Sequence, residues 1–230
     1  EQMGLWRGDE YYDRRYEFAA EYVAILQDLW REGTCTRESE FFSLNNCSCL
    51  PMPGREIPIV SAGQSPKGVN FVAQNAHQNF VMAHPEKLKD ISDSVKQKGA
   101  ALGRKVGTYA LFNMIIGESD TEAWEFGQRV IAEADTGAIS NIITSASMDS
   151  NEGGTADHLQ EALSQDLEVG NMAFMGFPTI YGSADTVASK IDEIAAETGV
   201  DGMLFSWADF VPGIRDFGQR VMPKLRCLKG

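Results

Sequence analysis

Residues Ile57–Gly68 read IPIVSAGQSPKG. A short apolar run, Ile57–Val60, stops abruptly at small polar residues, and Ser65-Pro66 follows at once. An apolar run bounded by turn residues reads as a short buried strand. Ser65 is a good helix N-cap. Pro66 suits the first helical position, where its missing N–H would have had no partner anyway. The stretch therefore predicts a strand, a tight turn and a helix start. Repeated along a chain, that order builds parallel sheets joined by right-handed helical crossovers.

The alternation continues outward from this unit. Gln78–Met82 reads as a strand and is followed by a helix from about Pro85 to Gly99. Val106–Gly117 is apolar on both faces, as expected of a strand covered on both sides. Ser119 and Glu122 form a capping-box pattern that opens a helix with Trp124, Val130 and Ile131 inward. Ser183 begins SADTVASKIDEIAAETG, with Val187, Ile191 and Ile194 on one stripe and Gly199 as its stop. Asp201–Trp207, DGMLFSW, reads as a final buried strand, and Phe210–Leu225 as the closing helix. On the other side, residues 13–33 predict a strong helix. There Ala19, Tyr22, Val23, Leu26, Leu29 and Trp30 recur at helical spacing, and Gly33 sits where a C-terminal cap belongs. Glu40–Asn46 reads as a short extended segment.

No G-x-G-x-x-G follows the first strand, so a Rossmann dinucleotide site is unsupported. A (β/α)8 TIM barrel fits the α/β alternation better, although only about four strands are read where a barrel needs eight. The expected architecture is an incomplete TIM barrel, about the last four strand–helix units, forming a single domain over residues 1–230. Residues 135–175 break the rhythm with Ser, Thr, Asn, Asp and Gly, and are too long for an ordinary connection. They predict an insertion, either a lid over an active site or a tolerated, partly disordered surface segment.

The formal net charge is −13, which argues against nucleic acid or an anionic membrane as partner. No apolar stretch approaches the roughly 20 residues of a membrane span. Of the four cysteines, Cys35, Cys47, Cys49 and Cys227, only Cys47 and Cys49 are close in sequence. No second pair completes a zinc site, and His77, His84 and His158 are scattered, so no metal is expected. Reduced thiols in a cytoplasmic protein are the expectation.

Active-site groups of a barrel sit where strands end and loops begin, at the C-terminal face. The Ala62–Ser65 turn occupies that place. Its small residues let a ligand approach the backbone, and the free N–H groups and dipole of the following helix favour an anion, above all a phosphate. A plain N-cap at a tight turn would give the same pattern. A second candidate is Arg14-Arg15-Tyr16, which offers a forked, permanent cation and a hydroxyl on a rigid stem. A solvated arginine pair beside a core tyrosine is the alternative.

Six segments together resemble the bacterial-luciferase-like FMN-dependent monooxygenases, closest to the pyrimidine (uracil) branch. They are EQMGLWRGDEYYDRRYEFAAEYVAILQDLW, EFFSLNNC, IVSAGQSPKGVNFVAQNAHQNF, YALFNMIIGESDTEA, TIYGSADTVASKIDEIA and FGQRVMPKLRC. The E-Q-M-G-L-W and A-G-Q-S pieces are the most specific, and Asp135–Gly170 matches poorly. The resemblance implies that Arg15, Tyr16 and Ser65 contact FMN near its phosphate, with Gly63 and Gln64 beside them. It implies a monooxygenase that takes reduced FMN from a separate flavin reductase using NADH or NADPH and oxygenates a small heterocycle with O2. It also implies that the barrel's first four strands, with further flavin contacts, would precede Glu1, so no catalytic residue is named. Exposed edges and barrel-facing side chains would then favour a homo-oligomer. Two other readings remain open: a non-catalytic remnant or interaction module, and a relative acting on a sulfonate or sulfone.

Overall fold

The computed structural model describes residues 11–146, 159–160, 162–163 and 166–228. The E-Q-M-G-L-W segment and residues 147–158 of the expected insertion lie outside the described residues. Helix α1 (Tyr11–Glu32) comes first. It ends at Gly33, whose φ of +75° is the left-handed cap conformation that glycine adopts without strain. A hairpin follows, β1 (Thr34–Glu38) antiparallel to β2 (Ser43–Ser48), and packs Cys35, Leu44 and Cys47 against Ile25 and Leu29 of α1. The chain then alternates through β3 (Val60–Ser61), α2 (Pro66–Asn75), β4 (Gln78–Val81), α3 (Pro85–Ala101), β5 (Gly107–Gly117) and α4 (Asp120–Ala132). Helix α5 (Thr136–Ala146), strand β6 (Thr179–Ser183), helix α6 (Ala184–Thr198), strand β7 (Gly202–Ser206) and helix α7 (Phe210–Asp216) complete it. A π-helical turn, Phe217–Val221, prolongs α7.

Strands β3 to β7 form one parallel sheet of five. Its organiser is β5. Tyr109 pairs with both Phe80 of β4 and Gly202 of β7, so those strands occupy opposite edges of β5. Asn113 pairs with both Thr179 and Ser206, so β6 continues the edge that β4 began. The arrangement is a partial barrel wall with helices on its outer side.

One face of this sheet carries the core. Val81, Ala110, Phe112, Met114 and Ile180 pack against Leu88 of α3 and Val187 and Ile191 of α6. Burying each large apolar side chain contributes on the order of 1.5–3 kcal/mol. The other face holds Val60, Phe80, Tyr109, Leu111 and Leu204, and is half open: Val60 is 48% and Leu204 40% exposed. At the carboxyl end, Asp192 of α6 accepts the backbone N–H groups of Arg226 at 2.9 Å and Cys227 at 2.8 Å, while Arg226 Nε donates to it at 2.9 Å. These donors hold its carboxyl well below the usual carboxylate range.

Several expectations need correction. Ile57–Ser61 is not a buried strand: only Val60–Ser61 pairs, and Ile57 and Val60 are exposed because β3 lies at the end of the sheet path. Asp201–Trp207 yields β7, but among the described residues β7 pairs only with β5 and stays half exposed. Strand β6 raises the parallel strands from about four to five. Trp124 points outward, 48% exposed, although its neighbours Val130 and Ile131 pack inward on Ile115 and Leu167. Tyr22 on α1 is likewise 46% exposed. Within 135–175, the described residues include helix α5, whose Ile139, Ile142 and Ile143 pack on Leu159, Ala162 and Met172. Among the described residues, no helix is long and apolar enough to cross a membrane, and no cluster of metal-ligating side chains occurs.

Candidate cofactor site

The turn between β3 and α2 is held from three directions. Gly63 N–H donates to Oδ1 of Asn79, which is fully buried on β4, at 3.2 Å. Gln64 Oε1 accepts the N–H of Met82, just past β4, at 2.8 Å. Ser65 is the N-cap of α2, extended at φ −67° and ψ 157°, and its Oγ accepts Gly68 N–H at 3.2 Å. The cap leaves the Ser65 hydroxyl proton free to donate. Ser65 itself is only 6% exposed, whereas Ala62, Pro66 and Lys67 around it are open.

Two glycines define the shape of the corner. A Cβ on Gly68 would lie 2.9 Å from Gly63 Cα and 2.9 Å from the Tyr16 hydroxyl. A Cβ on Gly63 would lie 2.6 Å from the Gly68 carbonyl. Backbone therefore meets backbone here, and the Tyr16 hydroxyl covers the contact from α1. The Tyr16 ring packs on Phe71 of α2 at 5.6 Å, which fixes α1 against α2. The Arg15 guanidinium lies 5.2 Å from the Tyr16 ring centroid. Arg14 is engaged elsewhere, by Glu17 and Glu40, and holds the Glu40 carboxyl below its ordinary range.

Of the sequence-derived residues, Tyr16 reaches the turn that holds Gly63, Gln64 and Ser65, and Arg15 lies beside the Tyr16 ring. Arg15 and Tyr16 come from α1, and Gly63, Gln64 and Ser65 from the turn beyond β3. Among the described residues, the backbone N–H groups of Gln64, Ser65 and Lys67 have no acceptor. They stand at the positive end of the α2 dipole, an arrangement suited to a phosphate or another anion. Sequence reasoning missed Asn79, Gly68 and Lys67. Gly68 had a local signal in its five-residue offset from Gly63; Asn79 had none, because only strand pairing brings it beneath the turn.

The fold, with this corner at the C-terminal end of a parallel strand, is of the partial α/β-barrel class. The family model described as luciferase-like monooxygenase matches residues 2–202, and the chain belongs to that family. Relatives named pyrimidine monooxygenase RutA are 38% identical in Acinetobacter baylyi, over 96% of this chain and 60% of theirs. The relative of that name in Cronobacter turicensis is 36% identical over 99% of this chain and 60% of its own. The chain thus spans about three fifths of the length of the curated relatives it matches. Among solved structures, EDTA monooxygenase (EmoA) from Chelativorans sp. BNC1 superposes with a TM-score of 0.72 at 17% identity, over 92% of this chain and 59% of that one. DmoA from Hyphomicrobium sulfonivorans gives 0.66 at 21% identity, over 94% and 56%. Both likenesses concern the fold.

The corner is suited to an anion such as a phosphate. A phosphate needs backbone donors, a cation and close access to the chain. The turn supplies the first, Arg15 beside the Tyr16 ring is a cation from α1, and the exposed Ala62 and Lys67 leave the turn open to solvent.

Proposed function

We propose that this chain binds FMN at the corner formed by Arg15, Tyr16 and Gly63–Ser65, and serves the oxygenation of a small heterocycle such as a pyrimidine. The observation that carries this reading is the convergence of α1 and the β3–α2 turn on one anion-suited corner, within a fold of the luciferase-like family. The relatives named pyrimidine monooxygenase support the substrate class.

In this reading the residues divide the work. The N–H groups of Ser65 and Lys67 and the Ser65 hydroxyl hold the phosphate, with Arg15 balancing its charge. Tyr16 keeps the glycine contact closed and orients Arg15. Asn79 and Gln64 do not touch the ligand; they fix the turn to β4 so that its donors point outward together. When bound in its reduced form, FMN supplies the oxygen-activating chemistry. Residues 135–175 are the proposed cover that keeps water from the site. A separate flavin reductase using NADH or NADPH, in the same cytoplasmic compartment, is the proposed source of reduced FMN.

Titrating FMN into the purified chain and following flavin fluorescence tests the binding step. Saturable quenching is expected, and Arg15→Ala/Ser65→Ala should weaken it at least about tenfold, or about 1.4 kcal/mol. Unchanged affinity in the double variant would overturn the site. Turnover with reductase, NADH and O2, comparing uracil with an alkyl sulfonate, then tests the substrate class. A second reading draws on the half-open sheet face: the chain is an interaction module without turnover of its own. Absence of any flavin binding would favour it.

A further inference from the structure

Strands β1 and β2 set Cys35 directly opposite Cys47. Directly opposed residues of an antiparallel pair project from the same face, with Cβ atoms about 4.5–5.5 Å apart. A disulfide spans Cβ atoms about 3.5–4.5 Å apart, so a small approach of the two strands suffices. Both side chains lie in the same apolar cluster over Ile25 and Leu29 of α1. Both thiols are reduced in this structure. They differ in access: Cys35 is 6% exposed, whereas Cys47 is half-buried.

We propose that Cys35 and Cys47 form a redox pair that closes to a cross-strand disulfide when a peroxide oxidises it. The more accessible Cys47 thiolate attacks the peroxide O–O bond, giving the Cys47 sulfenic acid and releasing water or an alcohol. The Cys35 thiolate then attacks the Cys47 sulfur, forms the S–S bond and expels hydroxide, which leaves as water. The two thiols together lose two electrons and two protons, and the peroxide takes them up. A dithiol reductant reverses the step. Two other cysteines compete. Cys49 is exposed and lies just beyond β2, where its backbone N–H is committed to Gly33 O at 3.0 Å. Cys227 lies near the carboxyl end, on the α6 side of the molecule. Only Cys35 shares a strand register with Cys47.

The test exposes the full chain to hydrogen peroxide, alkylates the remaining thiols and maps the unreduced peptides by mass spectrometry. The expected product is an intramolecular Cys35–Cys47 linkage, lighter by two hydrogens. It should form equally in Cys49→Ser, vanish in Cys47→Ser and disappear on adding dithiothreitol. Three results would overturn the proposal: Cys35 still alkylated after Cys47 has been oxidised, a linkage joining Cys47 to Cys49 or Cys227, or a linkage between chains. Because wild type and Cys49→Ser carry the decisive comparison, a misfolded Cys47→Ser variant would not obscure the answer.

Discussion

Gly68 shows how one missing side chain shapes a ligand corner. An added methyl would push into Gly63 Cα and the Tyr16 hydroxyl, each 2.9 Å away. Gly68→Ala is therefore expected to part α1 from the turn and to weaken FMN binding more than Arg15→Ala alone, read by the same fluorescence titration. Ser65→Ala removes a helix cap and should lower stability by about 1 kcal/mol in urea denaturation. Asp192 makes a pH prediction. Its folded-state pKa is depressed, so its contribution is complete above the ordinary carboxylate range and fades as pH falls below about 4. Asp192→Asn should be less stable than wild type at pH 7, and the gap between the two denaturation midpoints should begin to narrow only as pH falls below about 4, with a difference still present at pH 3. Residue chemistry of this kind was partly legible in the sequence. Ser65-Pro66 announced the cap because capping is local, whereas the bond from Gly63 to Asn79 crosses sixteen residues of chain and exists only once β4 pairs with β3.

Among elements, helices were read well and strands unevenly. Helices α2, α3, α4 and α6 carry N-terminal signals at Ser65, Pro85, Ser119 and Ser183 that act within one turn. Strand β6, TIYGS, escaped notice because it is short, follows Pro178 and contains Gly182, all marks of a turn. Strand β1, TCTRE, is polar outside Cys35 and earns its place only by pairing with β2. The exposure of Trp124 reflects a stripe narrower than the apolar residues available to α4. The junction of α3 with the sheet is the element contact most open to test. Leu88 is fully buried among Val81, Phe112 and Val187. Leu88→Ala should cost about 2–5 kcal/mol, since the cavity it leaves is lined by two strands and a helix that cannot collapse together. A loss under 1 kcal/mol in chemical denaturation would show that this layer is loosely packed.

For the molecule as a whole, the half-open sheet face and the outer side of β7, unpaired among the described residues, govern behaviour in solution. Val60 and Leu204 present apolar surface beside strand edges, a combination that recruits other chains. Sedimentation velocity at rising concentration is expected to show association, reduced by Leu204→Lys; a sharp monomer at every concentration would contradict this. The incomplete barrel was legible from the strand–helix rhythm, but the exposure of β3 and β7 was not. Their sequences are apolar enough to be buried, and only the order of strands shows which sides stay uncovered. The grip of Asp192 on Arg226 and Cys227 also decides where the protein tolerates engineering. A fluorophore or affinity handle inserted between Leu225 and Cys227 would pull both amides from the carboxylate and loosen α6.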